Sequence, residues 1–358
     1  MTHIGNTAFR SVPRLPRVGA TTLSDDGTHA MPHATPYALG RFQTSGGDRF
    51  AGVVVDDTVL PLADVYPGAD DVPALLADWP QHSAALDDAV ERALPTWAGR
   101  ATPVDDLVVC APVAPVQVFQ SGANYKTHVV QLMVAAASRD GDDDPAGTLQ
   151  RATALMQERA DSGTPYVFLG LPSSICGPYD DVVLPDTGTL HDWELELAVV
   201  IGTEAYRVSR ADAMSHVAGY VIVNDITTRD RVFRPDMPGL GTDWLAGKNA
   251  PTFLPVGPWF VPAQFVDDPM KVQITLSLNG EVMQDETTAD MIFDIAQLIE
   301  HVSAITPMRP GDLLLTGSPA GNGAHYGRYL REGDVMESTI AGLGTQRNTC
   351  VAGPRAAR

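Results

Sequence analysis

The chemically most unusual feature of the sequence is the stretch "HDWELELAVVIG", which carries acids at every second position. In a strand, successive side chains alternate between two faces, so Asp192, Glu194 and Glu196 would share one face. Ala198 and Val200 continue that face as apolar residues, which indicates that its far end is buried. Carboxylates that enter a core repel one another and lose hydration, and a hard cation would remove that penalty. The alternative is an edge strand with a solvated acidic face, and this stretch alone favours neither interpretation.

A second stretch, "GYVIVNDITTRD", is an apolar strand that ends in an acid, Asp225. An acid at the end of a buried strand could complete a site begun elsewhere in the chain. Glu194, Glu196 and Asp225 would give Mg²⁺ three carboxylate oxygens and leave about three octahedral positions for water or substrate. Three carboxylates and a dication leave one negative charge. Lys248 or Arg229 could offset that charge and attract an anionic substrate.

A candidate base lies in the stretch "SGANYKTHVVQL", where a Gly-Ala-Asn turn is followed by Tyr125 and His128. The chain has nine histidines, and a single histidine is more often structural than catalytic. The predicted position of His128 in a turn, after the apolar run "APVQVFQ", makes it only a slightly stronger candidate for a general base.

Several other chemistries are poorly supported by the sequence. "GTDWLAGKN" has one residue too many between its glycines for a phosphate-binding loop, and Asn249 stands where Ser or Thr should bind Mg²⁺. The sequence contains no HExxH motif, and "TGSPAG" lacks the GxSxG spacing of a nucleophile elbow. "GNGAHY" is a partial dinucleotide loop with no helix pattern after it. Kinase chemistry, serine hydrolysis and hydride transfer are therefore disfavoured.

Composition excludes some classes of partner. The 24 basic and 44 acidic residues give a formal charge of −20, which argues against nucleic acid or an anionic membrane as a partner. Cys110, Cys176 and Cys350 are widely separated and match no disulfide or zinc pattern, as expected for reduced thiols. No stretch predicts a membrane span or a signal peptide. A cytoplasmic location is the resulting prediction.

The elements that must position these residues fall into three regions. Residues 1–36 have no apolar periodicity and predict a flexible N-terminal arm. Residues 37–110 combine short strand-like runs with a helical pattern and predict a small N-terminal α+β domain. Residues 111–353 carry the candidate site residues and predict a second, catalytic domain.

Within the second region, some elements have clear patterns. "KVQITLSL", Asn279-Gly280 and "EVMQ" predict a β-hairpin, and "ADMIFDIAQLIEHVSAITP" predicts a helix ended by Pro307. Residues 131–163 interrupt the region with an acidic loop and a helix capped by Asp144. Such an insertion beside a candidate site predicts a lid, although inserted segments more commonly have no role in the site.

The ordered blocks "GANYKTH", "DWELELAVVIG", "GYVIVNDITTRD", "GKNAPTFLPVGPW", "LNGEVMQDETTADMIFDIAQLI" and "RPGDLLLTGSPAGNG" resemble the fumarylacetoacetate hydrolase superfamily. The resemblance covers about residues 111–352. It implies an α+β, mostly β fold, a mixed β-sandwich roll with a small N-terminal α+β domain. It also implies a homodimer that binds Mg²⁺ or Mn²⁺. The blocks are specific for the family and much less specific for the reaction.

The resemblance also implies roles for particular residues. Glu194, Glu196 and Asp225 match the family's metal ligands, and His128 and Lys248 match its catalytic residues. The matching substrate-binding positions are Tyr125, Arg229 and Thr316. Asp192 falls outside the family's ligand set and is expected to contact a ligand residue or solvent.

The implied activity is Mg²⁺-dependent hydrolysis of a carbon–carbon bond in an acylpyruvate-type 2,4-dioxo acid, a small anionic substrate. His128 would take a proton from the attacking water, and the metal would stabilise the pyruvate enolate with help from Lys248. The same site could serve decarboxylation, hydration or isomerisation of a 2-oxo acid. The sequence does not indicate the natural substrate, the pathway or the metal used in the cell.

The chain departs from the family at two positions. Gln131 replaces the glutamate that orients the histidine in many members, so it is an uncertain base-orienting residue. Asp140 or Glu158 of the insertion could supply the missing acid. Val232 replaces a glutamine found in some family members, which suggests a different or less polar distal substrate pocket. A catalytically silent binding or scaffold protein is the competing hypothesis, slightly favoured by Gln131 but disfavoured by the retained carboxylates and Lys248.

Overall fold

The computed structural model describes residues 35–139, 141 and 143–353. The predicted flexible arm over residues 1–36 therefore lies outside the described residues, apart from its last two. Thr35 is already held in place, because its amide donates to Glu91 Oε1 at 2.6 Å. Within the described residues, no helix combines the length and apolar character needed to cross a bilayer.

The described chain contains twenty strands and nine α-helices, together with short 3₁₀ helices. The strands are β1 Ala38–Gln43, β2 Arg49–Val55, β3 Thr58–Pro61, β4 Thr102–Pro103, β5 Val108–Cys110, β6 Val118–Gly122, β7 Tyr166–Gly170, β8 Ile175–Cys176, β9 Val182–Leu184, β10 His191–Asp192, β11 Leu195–Ile201, β12 Val217–Asn224, β13 Thr227–Thr228, β14 Leu254–Pro255, β15 Val261–Pro262, β16 Gln273–Leu278, β17 Glu281–Thr287, β18 Leu313–Leu315, β19 Val335–Ile340 and β20 Gly344–Ala352. The α-helices are α1 Leu62–Val65, α2 Val72–Leu76, α3 Trp79–Ala93, α4 Lys126–Arg139, α5 Pro145–Ser162, α6 Arg229–Val232, α7 Trp244–Lys248, α8 Ile295–Ile305 and α9 Gly323–Tyr326. The 3₁₀ helices are Leu94–Gly99, Val104–Asp106, Pro172–Ser174, Ala213–His216, Pro238–Leu240, Ala263–Phe265 and Thr288–Asp290.

Three sheets form the framework. The first has the order β4-β3-β2-β1-β5 and, with α1 to α3, makes the N-terminal part of the described chain. The second has the order β15-β12-β11-β18-β6-β7, and the third has the order β17-β16-β19-β20-β9. Two further two-stranded sheets are formed by β10 with β13 and by β14 with β8. The α+β fold predicted from the sequence is confirmed by this architecture and by the relatives described below.

Strand β11 decides between the two interpretations of the acidic stretch. It lies inside the second sheet, antiparallel to both β12 and β18, and every one of its residues is buried. Its odd-numbered side chains, such as Leu197, join the core shared with the third sheet. Ala198 and Val200 join the core shared with the N-terminal sheet. The solvated edge strand is therefore excluded, and the face that carries Glu196 runs into the interior.

The inserted segment forms a helical hairpin of α4 and α5. Helix α5 begins as predicted, with Pro145 in its first turn and the Asp144 side chain accepting from the Gly147 amide at 2.9 Å. Helix α4 begins at Lys126, five residues before the predicted insertion. The prediction that His128 lies in a turn is therefore wrong, because the Gly-Ala-Asn turn leads directly into this helix.

The two predicted elements near the C-terminus are confirmed. In the hairpin of β16 and β17, Asn279 and Gly280 adopt φ of 54° and 86°, so both turn residues use the left-handed region. Helix α8 starts at Ile295 because Asp294 and Gln297 form a reciprocal capping box. The helix buries Ile295, Leu298, Ile299 and Val302 against the third sheet's core.

Candidate metal centre and active site

The pairing of β11 with β12 brings the predicted acids together. Leu195 lies opposite Asn224, so the residues that flank this pair, Glu194 and Asp225, are adjacent. The Asp225 amide donates to Glu194 O at 2.8 Å, and the Asn224 side chain accepts from the Glu194 amide at 2.9 Å. The strand ends are thus locked together at the position where the carboxylates leave the sheet.

Glu194, Glu196 and Asp225 form a compact oxygen cluster. One carboxylate oxygen from each lies within 4.8 Å of the others, and the three residues are 6%, 2% and 2% exposed. Hard carboxylate oxygens are the ligands that Mg²⁺ and Mn²⁺ prefer. The three residues predicted from the sequence as metal ligands are therefore the ones that the fold brings together.

Lys248 lies at the end of α7 and points into this cluster. Its Nζ is 2.5 Å from Glu194 Oε2 and 2.6 Å from Asp225 Oδ2, and the side chain is buried. Burial alone would lower the pKa of Lys248, but the carboxylates of Asp225 and Glu194 raise it above its ordinary value. Lys248 is therefore a fixed positive charge at the cluster.

An aromatic wall stands behind Lys248. Its Nζ lies 5.8 Å from the ring centroids of both Phe168 and Trp244. These two rings stack at 4.4 Å with an interplanar angle of 12°, and Trp244 Nε1 donates to the Tyr166 hydroxyl at 2.6 Å. Cation–π contacts of this kind favour the charged amine. Sequence reasoning missed this wall, because its rings come from β7 and α7, which are distant in the chain.

Arg229 bridges two acids. Its Nε is 2.8 Å from Asp192 Oδ2, and its Nη2 is 2.5 Å from Glu194 Oε1. Asp192 is fully buried and also accepts from the amides of Gly323 and Ala324, at 2.6 and 3.1 Å. Asp192 thus contacts a residue that holds a ligand, one of the two roles expected for it. In this structure the guanidinium of Arg229, predicted to bind substrate, is paired with protein carboxylates.

Residues 316–322, between β18 and α9, form a loop that we call the glycine loop. The Gly317 amide donates to Glu196 Oε2 at 2.7 Å and so orients the second ligand. Gly321 adopts a φ of +95°, and a Cβ at this position would lie 2.0 Å from the Met283 carbonyl oxygen. The stretch "TGSPAG", excluded above as a nucleophile elbow, therefore has a positioning role that its glycines could have suggested.

Gln120, on β6, is a further residue of the cluster that sequence reasoning missed. Its Nε2 donates to Asp225 Oδ1 at 2.6 Å, while its buried Oε1 has no hydrogen-bond partner among the described residues. It stands in the run "VQVFQSG", where it is a polar interruption of an apolar strand. A polar residue in an otherwise apolar strand is the feature of the sequence that could have identified Gln120 as a site residue.

The buried charges of the cluster do not balance. Asp192, Glu194, Glu196 and Asp225 are buried with Arg229 and Lys248 as their cationic partners among the described residues. Four carboxylates and two cations leave two negative charges, the amount that one divalent cation would neutralise. The donor set, the spacing and the charge deficit therefore fit a divalent metal ion.

The pKa values of the acids record the same imbalance. Burial, followed by the charge of Asp225, holds the pKa of Glu196 well above its ordinary value. Burial also raises the pKa of Asp225 to about 6, although Lys248 opposes the rise. Burial alone would raise the pKa of Glu194, but Arg229 and Lys248 lower it below its usual range. Ionisation is therefore least favourable at Glu196 and Asp225, and a cation bound between them would favour their charged forms.

His128 lies in the first turn of α4 and is 6% exposed. Burial is the main cause that lowers the pKa of its imidazole to about 4, although the charge of Glu194 opposes the change. The ring is therefore neutral near pH 7. A neutral imidazole can accept a proton, which is the state that a general base requires.

The structure describes no acid that orients His128. Gln131 Oε1 accepts from the Gly321 amide at 3.2 Å, so this side chain ties α4 to the glycine loop. Glu158 is exposed on α5, and Asp140 lies outside the described residues. Within the described chain, the imidazole hydrogen-bonds to none of them.

Tyr125 and Thr316, predicted to bind substrate, are both fully buried. The Thr316 hydroxyl donates to the Leu197 carbonyl at 2.8 Å. The Tyr125 hydroxyl lies near Thr316 but has no hydrogen-bond partner among the residues that the structure describes, and burial raises the pKa of Tyr125. Val232 is also buried, against Gly247. The different or less polar distal pocket suggested by Val232 stays a prediction.

Sequence comparisons place these residues among known proteins. The family described as "Fumarylacetoacetate (FAA) hydrolase C-terminal" matches residues 117–351. The chain is 47% identical over 186 residues to 2,4-didehydro-3-deoxy-L-rhamnonate hydrolase from Sphingomonas sp. (strain SKA58), which covers 51% of this chain and 64% of that protein. It is 33% identical over 283 residues to a mitochondrial oxaloacetate tautomerase of Bos taurus, which covers 78% of this chain and 81% of the relative. The chain thus spans less than two thirds of the Sphingomonas protein's length.

Solved structures share the fold. A maleylpyruvate hydrolase from Sphingobium sp. SYK-6, solved with manganese(II) and pyruvate, is 28% identical with a TM-score of 0.66, and the match covers 88% of this chain and 100% of the other. A probable 2-hydroxyhepta-2,4-diene-1,7-dioate isomerase from Mycobacterium abscessus is 33% identical with a TM-score of 0.64, covering 88% of this chain and 99% of the other.

Proposed function

This chain belongs to the fumarylacetoacetate hydrolase family, and from that membership we propose that it is a Mg²⁺-dependent hydrolase of acylpyruvate-type 2,4-dioxo acids. The observation that carries the proposal is the buried cluster of Glu194, Glu196 and Asp225, whose charge is not balanced by Lys248 and Arg229. When bound by these three carboxylates, Mg²⁺ or Mn²⁺ would supply Lewis-acid stabilisation of negative charge on an oxygen of the 2-oxo acid.

His128 is the residue that moves the proton. Its neutral imidazole takes a proton from a water molecule at one ring nitrogen as the water oxygen bonds to C4 of the substrate. The bond between C3 and C4 then breaks, and its electron pair leaves with the pyruvate fragment as the enolate. Return of the proton from the imidazolium to C3 gives pyruvate and a carboxylic acid, so atoms and charge balance.

Lys248 and Arg229 prepare the site electrostatically. Lys248 keeps a positive charge beside Glu194 and Asp225, close to where the enolate oxygen develops charge. Arg229, anchored by the fully buried Asp192, holds the second oxygen of Glu194. Neither side chain must reorganise during the reaction, because both are already held by carboxylates.

The test is loss of the enolpyruvyl absorbance of acetylpyruvate. The purified protein is assayed with Mg²⁺, with Mn²⁺ and with a chelator, and pyruvate is quantified as the product. We expect metal-dependent pyruvate release that is lost in the chelator. Binding of Mg²⁺ without turnover of acylpyruvates, oxaloacetate or 2-hydroxydienoates would instead support a silent binding protein.

Tautomerisation of oxaloacetate is a second candidate function. The Bos taurus relative carries that name, and its match covers more of this chain than the match to the Sphingomonas hydrolase. The described structure gives His128 no carboxylate partner, and a tautomerase must move a proton at C3 without activating water. Enol-to-keto conversion of oxaloacetate without pyruvate formation would favour this activity over hydrolysis.

We also propose that the protein is a cytoplasmic homodimer acting on a small anionic 2-oxo acid. The anionic substrate follows from a site that offers a metal position beside Lys248. The homodimer is proposed because the chain belongs to this family. Light scattering on the purified protein tests the assembly, and a monomer mass would contradict it.

A further inference from the structure

A cavity of about 510 Å³ lies beside the candidate base. Its walls come from α4, the start of α5 and α9, and its volume is typical of a pocket for a small ligand. Apolar groups make up most of its lining: Val130, Val134, Ala135, Leu149, Ala324 and the ring of Tyr326. We call it the α4–α9 cavity.

Two walls of the α4–α9 cavity also contact or carry residues of the candidate active site. On α4, Gln131 lines the cavity one turn after His128, so the two side chains occupy the same face of the helix. On α9, Ala324 lines the cavity while its amide donates to Asp192, which holds Arg229. His325, also in the lining, is close enough to His128 for its charge to lower the pKa of that imidazole.

Among the described residues of the lining, the imidazole of His325 is the one basic side chain. Among the described residues that line the cavity there is no Lys, Arg, Asp or Glu. Two of its polar groups are already engaged, since Gln131 Oε1 accepts from Gly321 and the Tyr326 hydroxyl donates to the Met283 carbonyl at 2.9 Å. A carboxylate on the ligand would lose hydration here with the imidazole of His325 as its one basic partner among the described lining residues, whereas an alkyl or aryl group would bury apolar surface.

We infer that the α4–α9 cavity binds the part of the substrate beyond the cleaved bond, and that this part is an uncharged apolar chain. The inference rests on the proposed function for the identity of the head group. It specifies the substrate class as acylpyruvates with an apolar acyl group, in preference to those that end in a second carboxylate.

The test separates binding from turnover. Simple 2-oxo alkanoates from 2-oxobutanoate to 2-oxooctanoate have no C4 carbonyl, so the proposed reaction cannot cleave them. Their affinities are measured by calorimetry on the full chain in Mg²⁺ buffer, beside 2-oxoadipate, which carries a terminal carboxylate. We expect about two- to fourfold tighter binding for each added methylene, because each is transferred from water to apolar walls, and weaker binding of 2-oxoadipate than of 2-oxohexanoate.

A pair of neighbouring substitutions locates the effect. Ala135 lines the cavity, whereas Ala136, the next residue of α4, is exposed and outside the lining. Ala135→Arg should abolish the gain in affinity with chain length and should improve the binding of 2-oxoadipate, because it places a cation among the apolar walls. Ala136→Arg makes the same chemical change on the same helix and should retain the gain.

Three outcomes are decisive. Affinity independent of chain length, or tighter binding of 2-oxoadipate than of 2-oxohexanoate by the wild-type protein, would overturn the inference. An equal effect of both arginine variants would overturn the assignment to this cavity. If the length series and the variants behave as expected but acylpyruvates are not hydrolysed, the proposed reaction fails and the cavity assignment stands.

Discussion

At the scale of residues, the site combines a neutral base with acids whose charges exceed those of their partners. Burial keeps the His128 imidazole neutral, whereas Glu194 is held ionised by Arg229 and Lys248. Groups in one pocket whose pKa values are driven apart in this way are typical of acid–base catalysis. Sequence reasoning identified these residues from their types and order. The sequence could not show that the guanidinium of Arg229 forms an ion pair with Asp192, because that contact depends on the fold.

Substitution of His128 separates proton transfer from metal binding. His128→Ala should lower kcat for acylpyruvate hydrolysis by about 10²- to 10⁴-fold, since the general base is lost. Mg²⁺ affinity, measured by calorimetry, should stay near that of the wild type because the three carboxylates remain. His301→Ala, on α8 and outside the site, serves as a control with unchanged activity. Equal loss of activity and of Mg²⁺ affinity in His128→Ala would refute the assigned role.

The lowered pKa of His128 predicts a pH effect on stability. The folded-state pKa of about 4 is below the unfolded value of 6.5, so the unfolded chain binds more protons between these values. The contribution of His128 to the unfolding free energy of the metal-free protein should therefore fall as the pH drops from about 6.5 towards 4, whereas the raised pKa of Asp225 acts in the opposite sense. His128→Ala should lack this component, worth up to about 3 kcal/mol. Urea denaturation across this range measures the difference, and parallel curves would contradict it.

At the scale of elements, the glycine loop connects the parts of the site. It gives an amide to Glu196 through Gly317 and another to Gln131 through Gly321, so it joins β11 to the helix that carries His128. Sequence patterns predicted the hairpin of β16 and β17 and the cap of α5 because those signals are local. They failed for the start of α4 and for the loop, since both are determined by contacts with distant segments.

A substitution in the glycine loop, at Gly321, is compared with one outside it, at Gly311. Gly311→Ala should cost roughly 1–2 kcal/mol, because its φ is +87° but no atom would contact the new Cβ within 4 Å. Gly321→Ala should cost a further ~1–3 kcal/mol, because its Cβ would also collide with the Met283 carbonyl. Chemical denaturation of the two variants gives both values. Equal costs would show that the close approach at Gly321 is not a constraint.

At the scale of the whole molecule, the two packed sheets bury the acids, and the N-terminal sheet seals the far end of their strand face. The class of fold was predictable because six sequence blocks resemble one family in order. The α4–α9 cavity was not, because its walls come from segments almost 200 residues apart in the chain. The predicted boundary between domains at residues 110 and 111 stays a prediction. Side chains of both parts share one core, for example Leu39 and Phe260.

The buried charge deficit predicts opposite effects of one substitution in two conditions. In a chelator, Glu196→Gln should be at least as stable as the wild type, because it removes a buried carboxyl group whose ionisation burial and Asp225 disfavour. With Mg²⁺ at about 100 times its Kd, the wild type should gain about 2.7 kcal/mol and the variant much less. Thermal unfolding with and without Mg²⁺ measures both. A variant that gains as much as the wild type would exclude Glu196 as a ligand.

The most direct test of the account is pyruvate release from acetylpyruvate, followed in the same preparation with Mg²⁺ and after its removal by a chelator. The account predicts turnover with Mg²⁺, its loss in the chelator, and its recovery when Mg²⁺ is restored. Glu196→Gln should not recover under the same treatment. Turnover that persists without a divalent cation, or a Mg²⁺-bound protein that leaves acetylpyruvate intact, would contradict it.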